Sequence, residues 1–322
     1  MSVKQHICPL TYTTIDATEK YSVTGLKKLS PLLKNLQDFP YTSEQQLIEA
    51  RNRADKMSIQ GVQPKLSARL NIKNQVFELC DLGGTYIIKP QNTEHEQLPE
   101  NEDLTMRLAA SVIEVPLHGL VYCMDGKFTY FIKRFDRVAH GAKVPLEDFA
   151  QLSGSTRDTK YDFSMEKMIP IIEKYCTFPA IEKTKLFIRI LFNYLIGNED
   201  MHLKNYSLIT RKDIIGLAPA YDFINTTIAI GITRVKEQLA LPLNGKKNNL
   251  TSKDVIEYFG SDRLGLNHGI IDQILRDFKT AIPHWHNLIQ LSFLSDLAKK
   301  EYIMVLDARV KSLNLESYLN NS

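Results

Sequence analysis

The sequence predicts an α+β fold in two lobes, a small sheet-rich lobe over residues 1–134 and a larger helical lobe over residues 135–322. Three observations predict it. Strand-like segments with a period of two cluster between residues 66 and 134, with a single helical segment among them. After Leu146 the apolar residues recur every three or four positions instead. The polar stretch GNEDMHLKN, residues 197–205, follows directly on the apolar helical segment LFIRILFNYLI.

Taken in order, GLKKLSPLLKNLQDF carries Leu26, Leu29, Leu33 and Leu36 at helical spacing. In YTSEQQLIEARNRADKM, Thr42 with Gln45 three residues on has the pattern of a capping box. Leu66, Ala68, Leu70 and Ile72 alternate in KLSARLNI and predict a strand; QVFELC, TYIIKP, GLVYCM and KFTYFIKRF continue the series. Between the third and fourth strands, NEDLTMRLAASVIEV reads as a helix stopped by Pro116. In the second half, SMEKMIPIIEKY, PAIEKTKLFIRILFNYLIG, HGIIDQILRDFKTAI and LSDLAKKEYIMVLDARVKSL are predicted helices. YSLIT and IIGLAP are short strands directly after the polar stretch.

Composition narrows the function classes. A chain of 322 residues, 43% apolar and 24% charged, is that of a globular protein with one large two-lobed domain or two ordinary ones. A net charge of +3 gives no strong signal for nucleic acid, so direct DNA binding is not expected. Cys8, Cys80, Cys123 and Cys176 lie far apart without a C-x-x-C pair, which speaks against a zinc site and fits reduced thiols in a cytoplasm. The start, MSVKQHICPLTYTT, lacks the apolar core of a signal peptide. LFIRILFNYLIG is short and interrupted by Arg189, which predicts a core helix and no membrane span.

Asp200 and Asn205 stand at Asp-x-x-x-x-Asn spacing, followed by the two short strands and then Asp222 in YDF. Phosphoryl transfer from ATP needs a group that orients or deprotonates the attacking hydroxyl, and oxygen ligands for Mg²⁺. Protein kinases supply these groups in this order. On that reading Asp200 is the base and Asn205 and Asp222 are the metal ligands; taken alone, so short a spacing favours an acid-rich turn capping the helix that ends near Ile196. Lys89 ends an apolar strand, where a lysine can hold α- and β-phosphates, and Glu102, thirteen residues on, can pair with it from the helix. Taken singly, an edge-strand lysine and a solvated helix acid are the more ordinary readings; their joint occurrence in this lobe and order shifts the balance toward the phosphate role. Gly61 in SIQGVQPKL is the candidate for a phosphate-cradling loop, although one glycine does not make G-x-G-x-x-G. Lys133 and Phe135 are positional candidates for adenine recognition, and Asp136 for a ribose hydroxyl. His202 and Lys204 lie within the Asp200 loop, where Lys204 is placed to neutralise γ-phosphate charge.

As an ordered set, SIQGVQPKLSARL, YIIKP, ENE, IKRFDR, LEDFAQ, GNEDMHLKN, LAPAYDF and LALPLNGKK resemble the HipA family of bacterial Ser/Thr kinases, the toxins of toxin–antitoxin modules, over about residues 55–250. The resemblance implies a bilobal, protein-kinase-like fold with ATP between the lobes. It implies ATP contacts from Gln60, Gly61, Val62, Gln63, Lys65, Lys89, Lys133, Phe135, His202, Lys204 and Tyr221, with Mg²⁺ on Asn205 and Asp222 and Asp200 in the catalytic position. HipA proteins carry a longer stretch before the Gly-containing loop, which here begins at Ser58; the chain therefore looks like HipT, the shortened toxin of three-component HipBST modules. That likeness implies a HipS-like small antitoxin and a HipB-like helix-turn-helix protein as partners, with DNA reached only through the latter. It also implies an aminoacyl-tRNA synthetase, the tryptophanyl enzyme, as the substrate phosphorylated on serine. Ser58 falls at the family's autophosphorylated position, and Gln60 occupies the place of a second serine, so one modified site is expected. A phosphoserine adds about −1.5 to −2 charge and would repel nucleotide from a loop meant to cradle phosphate.

Two other readings use the same residues: a small-molecule kinase, and a catalytically silent kinase fold acting as a binding or regulatory subunit. The joint presence of Lys89, Asp200, Asn205 and Asp222 argues against the second. The basic segment LNGKKNNLTSK reads as a solvated loop, with a partner-facing role as its alternative.

Overall fold

The alternating segments pair into one antiparallel sheet in the computed structural model of the protein, which describes residues 6–53, 63–138, 142–154 and 163–315. Its strands are β1 (Leu66–Asn71), β2 (Val76–Leu79), β3 (Tyr86–Lys89), β4 (His118–Tyr122) and β5 (Phe128–Lys133), in the order β2-β1-β3-β5-β4. The period of two directs Leu66, Ala68, Phe77, Tyr86, Ile88, Val121 and Phe131 into a common core. Phe77 meets Tyr86 edge to face at 5.1 Å and stands 5.1 Å from Phe131. Such ring pairs add about 0.5–1.5 kcal/mol each beyond the area they bury. Just before β3, a Cβ on Gly84 would lie 2.0 Å from Ser67 Oγ, so the close approach to β1 requires glycine. Register then places Tyr86 opposite Lys133 and Lys89 opposite Tyr130.

Two helices precede this sheet, α1 (Val23–Leu29) and α2 (Ser43–Asn52). The helix expected to run on through Leu36 stops at Leu29: Ser30 is extended and Pro31 follows, and a residue before proline is excluded from the α region by the proline ring. Leu33 and Leu36 still reach the core, from non-helical backbone. The capping box of α2 is present, with Thr42 Oγ1 accepting from Gln45 N and Gln45 Oε1 from Thr42 N. Helix α3 (Leu98–Ala109) ends short of Pro116, and residues 110–112 continue as turns.

The second half contains α4 (Phe149–Ser153), α5 (Met168–Tyr175), α6 (Pro179–Ile196), α7 (Thr226–Ile230), α8 (His268–Leu291) and α9 (Asp296–Ser312). Helix α8 runs past its expected end and contains Pro283. Residues 253–263 form a π-helical segment that periodicity did not indicate. Leu146–Asp148, expected to open the helical region, instead forms the strand β6. It pairs with β7 (Ser207–Arg211), and β7 with β8 (Ile214–Leu217), to give a three-stranded antiparallel sheet. The polar stretch 197–205 therefore lies between the end of α6 and the start of β7.

The chain divides into two compact units without following one cut along the sequence. The first comprises Met1–Leu104, Pro116–Ala142 and Leu291–Leu294; the second comprises Thr105–Val115, Lys143–Gln290 and Ser295–Ser322. Among the described residues no helix is long and apolar enough to cross a membrane.

Candidate functional site

Strand β3 ends at Lys89 because Pro90 offers no N–H to extend the ladder. The Lys89 side chain lies inside the first unit, 3% exposed, with its Nζ 2.5 Å from Glu102 Oε1 on α3, itself 2% exposed. Nζ also stands 5.7 Å from the Tyr130 ring centroid, the cross-strand neighbour on β5. Thr129 Oγ1 donates to Lys89 O at 2.9 Å, which holds the carbonyl at the end of the strand. An amine held in this way is a preset cation for an anionic group.

The second unit builds its polar loop on the C-terminus of α6. Gly197 caps that helix at φ 69, and a Cβ there would lie 2.7 Å from Thr227 Oγ1. Asn198 Nδ2 donates to Asn193 Oδ1 at 2.9 Å, and Asp200 N donates to Asn198 Oδ1 at 3.2 Å. Asn205 Nδ2 donates to Asp200 O at 3.0 Å, closing the loop across the predicted spacing. The Asp200 side chain is 56% exposed, while His202 is buried with Nε2 4.0 Å from Asp200 Oδ1.

Asp222 is brought to this loop through its neighbour. Tyr221 Oη donates to Lys204 O at 3.0 Å and stands 2.5 Å from Ser207 Oγ. One phenol thus ties the residue before Asp222 to the residue before Asn205. Burial pushes the Tyr221 hydroxyl well above its ordinary value, so it stays a neutral donor. Asp222 itself has φ 59, a left-handed conformation that costs an ordinary L-residue about 1–2 kcal/mol and that Asp tolerates better than most. Asn205 and Asp222 fit a magnesium ion by their chemistry. With Nδ2 turned to Asp200 O, the Asn205 amide presents Oδ1 elsewhere, and Asp222 adds carboxylate oxygens, an all-oxygen set.

Of the remaining predicted residues, Gln63 and Lys65 are half-buried where the chain enters β1. Ser58, Gln60, Gly61 and Val62 lie outside the described residues. Lys133 is exposed at the end of β5 with its N–H given to Leu117 O, and Phe135 is half-buried. Asp136, expected at a ribose, accepts from Arg134 at 2.9 and 2.7 Å and lies 3.0 Å from Arg137. Sequence reasoning missed Glu199, Thr226, Thr227 and Arg309, which brace the loop from behind. Their only sequence signal is the polar triplet Asn225–Thr227 shortly after Asp222.

Glu100, beside the lysine's partner in ENE, has its carboxyl pushed up to about 7, first by burial and then by the charge of Asp103. The folded protein therefore keeps a proton that the unfolded chain releases near 4.5. This group's contribution to stability is full below that value, is lost as pH rises toward 7, and is constant above it. Glu100→Gln should remove that slope: between pH 5 and pH 8 the variant should lose less melting temperature than the parent, by an amount on the order of 2 kcal/mol in stability. Equal slopes in thermal unfolding at the two pH values would count against a titrating Glu100.

The family described as HipA-like C-terminal domain matches residues 57–285, a span that includes Lys89, Glu102, Asp200, Asn205 and Asp222. The chain is 29% identical over 289 residues to a Haemophilus influenzae protein named "Putative kinase", with 81% of this chain and 82% of that protein covered. It is 26% identical over 255 residues to the serine/threonine-protein kinase toxin HipA of Shewanella oneidensis, covering 71% of this chain and 56% of that toxin. The solved structure of Shewanella oneidensis HipA in complex with HipB and operator DNA matches with a TM-score of 0.67 at 22% identity, over 89% of this chain and 75% of that one. At that identity the likeness establishes the α+β fold.

Proposed function

Because the chain belongs to the HipA-like C-terminal domain family, we propose that it is a serine/threonine protein kinase of the HipA toxin type. The observation that carries the proposal is the Lys89–Glu102 pair. Both side chains are withdrawn from water, at a desolvation cost that two apolar residues of similar volume would avoid. The pair makes sense as a device that holds Lys89 ready for the α- and β-phosphates of ATP. Asp200 accepts the proton of a serine hydroxyl as its oxygen bonds to the γ-phosphorus and the bond to the departing ADP oxygen breaks. Asn205 Oδ1 and the Asp222 carboxylate would hold magnesium, which would neutralise phosphate charge. Tyr221 keeps those two ligands together, Lys204 adds positive charge toward the γ-phosphate, and His202 borders Asp200. The reading assigns Gln60 to Lys65 to the phosphates and Lys133 and Phe135 to the adenine.

The finer assignments in this reading are a HipT-type toxin, acting in the cytoplasm on a serine of an aminoacyl-tRNA synthetase, the tryptophanyl enzyme first. Its partners are a HipS-like antitoxin and a HipB-like protein that carries the DNA contact. The structural relative was solved together with HipB and operator DNA, which supports the HipB-like partner. The test is incubation of the purified protein with γ-labelled ATP, Mg²⁺ and cell lysate. Label should enter a protein band identified as a synthetase; label confined to a metabolite fraction would overturn the reading. Mass spectrometry of the same reaction should find phosphate on Ser58, absent in Ser58→Ala, and phosphate found only at other positions would exclude single-site autophosphorylation there.

A further inference from the structure

Glu199 immediately precedes the proposed base, yet its side chain turns away from solvent and is 9% exposed. Its carboxylate accepts from three groups. Thr226 Oγ1 donates to Oε2 at 2.5 Å, Thr227 Oγ1 donates to Oε1, and Arg309 Nη2 on α9 donates to Oε1 at 3.3 Å. In the other direction, Glu199 N donates to Thr226 Oγ1 at 2.7 Å. Thr227 N adds a bond to Gly197 O at 3.1 Å, on the other side of the same loop. Each threonine hydroxyl has one proton, and the short contacts direct both protons to the carboxylate. Arg309 is in turn seated against the Tyr194 ring at 4.9 Å, on the helix that ends at Gly197.

Thr226 and Thr227 stand four and five positions after Asp222, whereas Glu199 stands one before Asp200. The carboxylate therefore joins the segment carrying the base to the segment carrying a metal ligand. Tyr221 makes the second joint, on the near side of Asp222. With one joint on each side, the Asp222 segment has little freedom to shift against the loop. We propose that Glu199, with Thr226, Thr227 and Arg309, is a positioning cluster that sets the placement of Asp222 relative to Asp200, and so the geometry in which magnesium and the base act together. The inference rests on the kinase reading above. None of the four is a catalytic residue, and each acts through the backbone of the two segments it joins.

Isosteric substitution separates positioning from packing. In the double variant Thr226→Val/Thr227→Val, shape and volume are kept and both hydroxyls are removed. In Thr226→Ser/Thr227→Ser, the hydroxyls are kept and a methyl is lost from each. The readouts are kcat, KM for ATP and the Mg²⁺ concentration giving half-maximal rate, with thermal unfolding to verify that each variant is folded. The Val pair should lower kcat about 10- to 100-fold and raise the Mg²⁺ requirement, the range seen for groups that orient metal ligands, with KM for ATP at saturating Mg²⁺ little changed. The Ser pair should restore most of the parental kcat and Mg²⁺ response. Arg309→Met, which keeps the long side chain without its charge, should shift kcat and Mg²⁺ dependence in the same direction as the Val pair. A Val pair with parental kcat and Mg²⁺ dependence overturns the inference, as does a Ser pair impaired as strongly as the Val pair, because either result assigns the threonines to packing. In both cases the kinase reading stands, provided the parent transfers phosphate and Asp200→Asn does not. A parent protein without transfer overturns the reading and the inference with it.

Discussion

Replacing Asp200 with Asn should lower phosphoryl transfer by about 10²–10⁴-fold, the contribution typical of a positioned general base, and leave the fold intact. The structural reason for the second half lies in where the carboxylate sits. Its side chain is 56% exposed, so an amide of the same shape takes its place largely in water. The elements that hold the loop use the Asp200 backbone instead: its N–H to Asn198 Oδ1 and its C=O from Asn205 Nδ2. An Asn side chain disturbs neither. The measurement is label transfer to substrate beside a thermal melt. An Asp200→Asn protein that melts like the parent and retains full transfer would remove Asp200 from the role of base.

Lys89→Met should abolish transfer as well, but with a different stability signature. Glu102 is 2% exposed, and deletion of the cation leaves its carboxylate buried without the ammonium. Breaking one side of a buried pair costs about 3–5 kcal/mol. The double variant Lys89→Met/Glu102→Leu replaces both charges with apolar groups and should regain most of that loss, because the desolvation of both ions is no longer required. Activity should not return with stability, since no amine is left for the phosphates. Chemical denaturation of the two variants, with transfer assays in parallel, separates these effects. Recovery of activity in the double variant would show that Lys89 served only to neutralise Glu102.

Several devices of this protein act over a few residues and are therefore written into the sequence. Thr42 and Gln45 cap α2 from within one turn. Asp200 and Asn205 meet because a five-residue loop brings the Asn205 amide back to the Asp200 carbonyl. Period-two alternation from Leu66 onward sorts core from surface whatever the partner strand is. The order Lys89, Glu102, Asp200, Asn205, Asp222 is legible in the same way, and the proposed kinase role starts from it.

Other properties depended on groups far apart in the chain, where no local pattern operates. Leucine spacing through Leu36 promised a longer α1, but Pro31 barred the helix, and the core accepted Leu33 and Leu36 on different backbone. Leu146–Asp148 became a strand only because β7 offered an open edge. Lys89 is buried because β5 and α3 close over it, which its own strand does not announce. Arg309 finds Glu199 across 110 residues. Propensity and periodicity act through neighbours in sequence, so they determined which segments fold and which residues could do chemistry. The enclosure of a charge is a property of what packs around it, and that was decided by the tertiary structure alone.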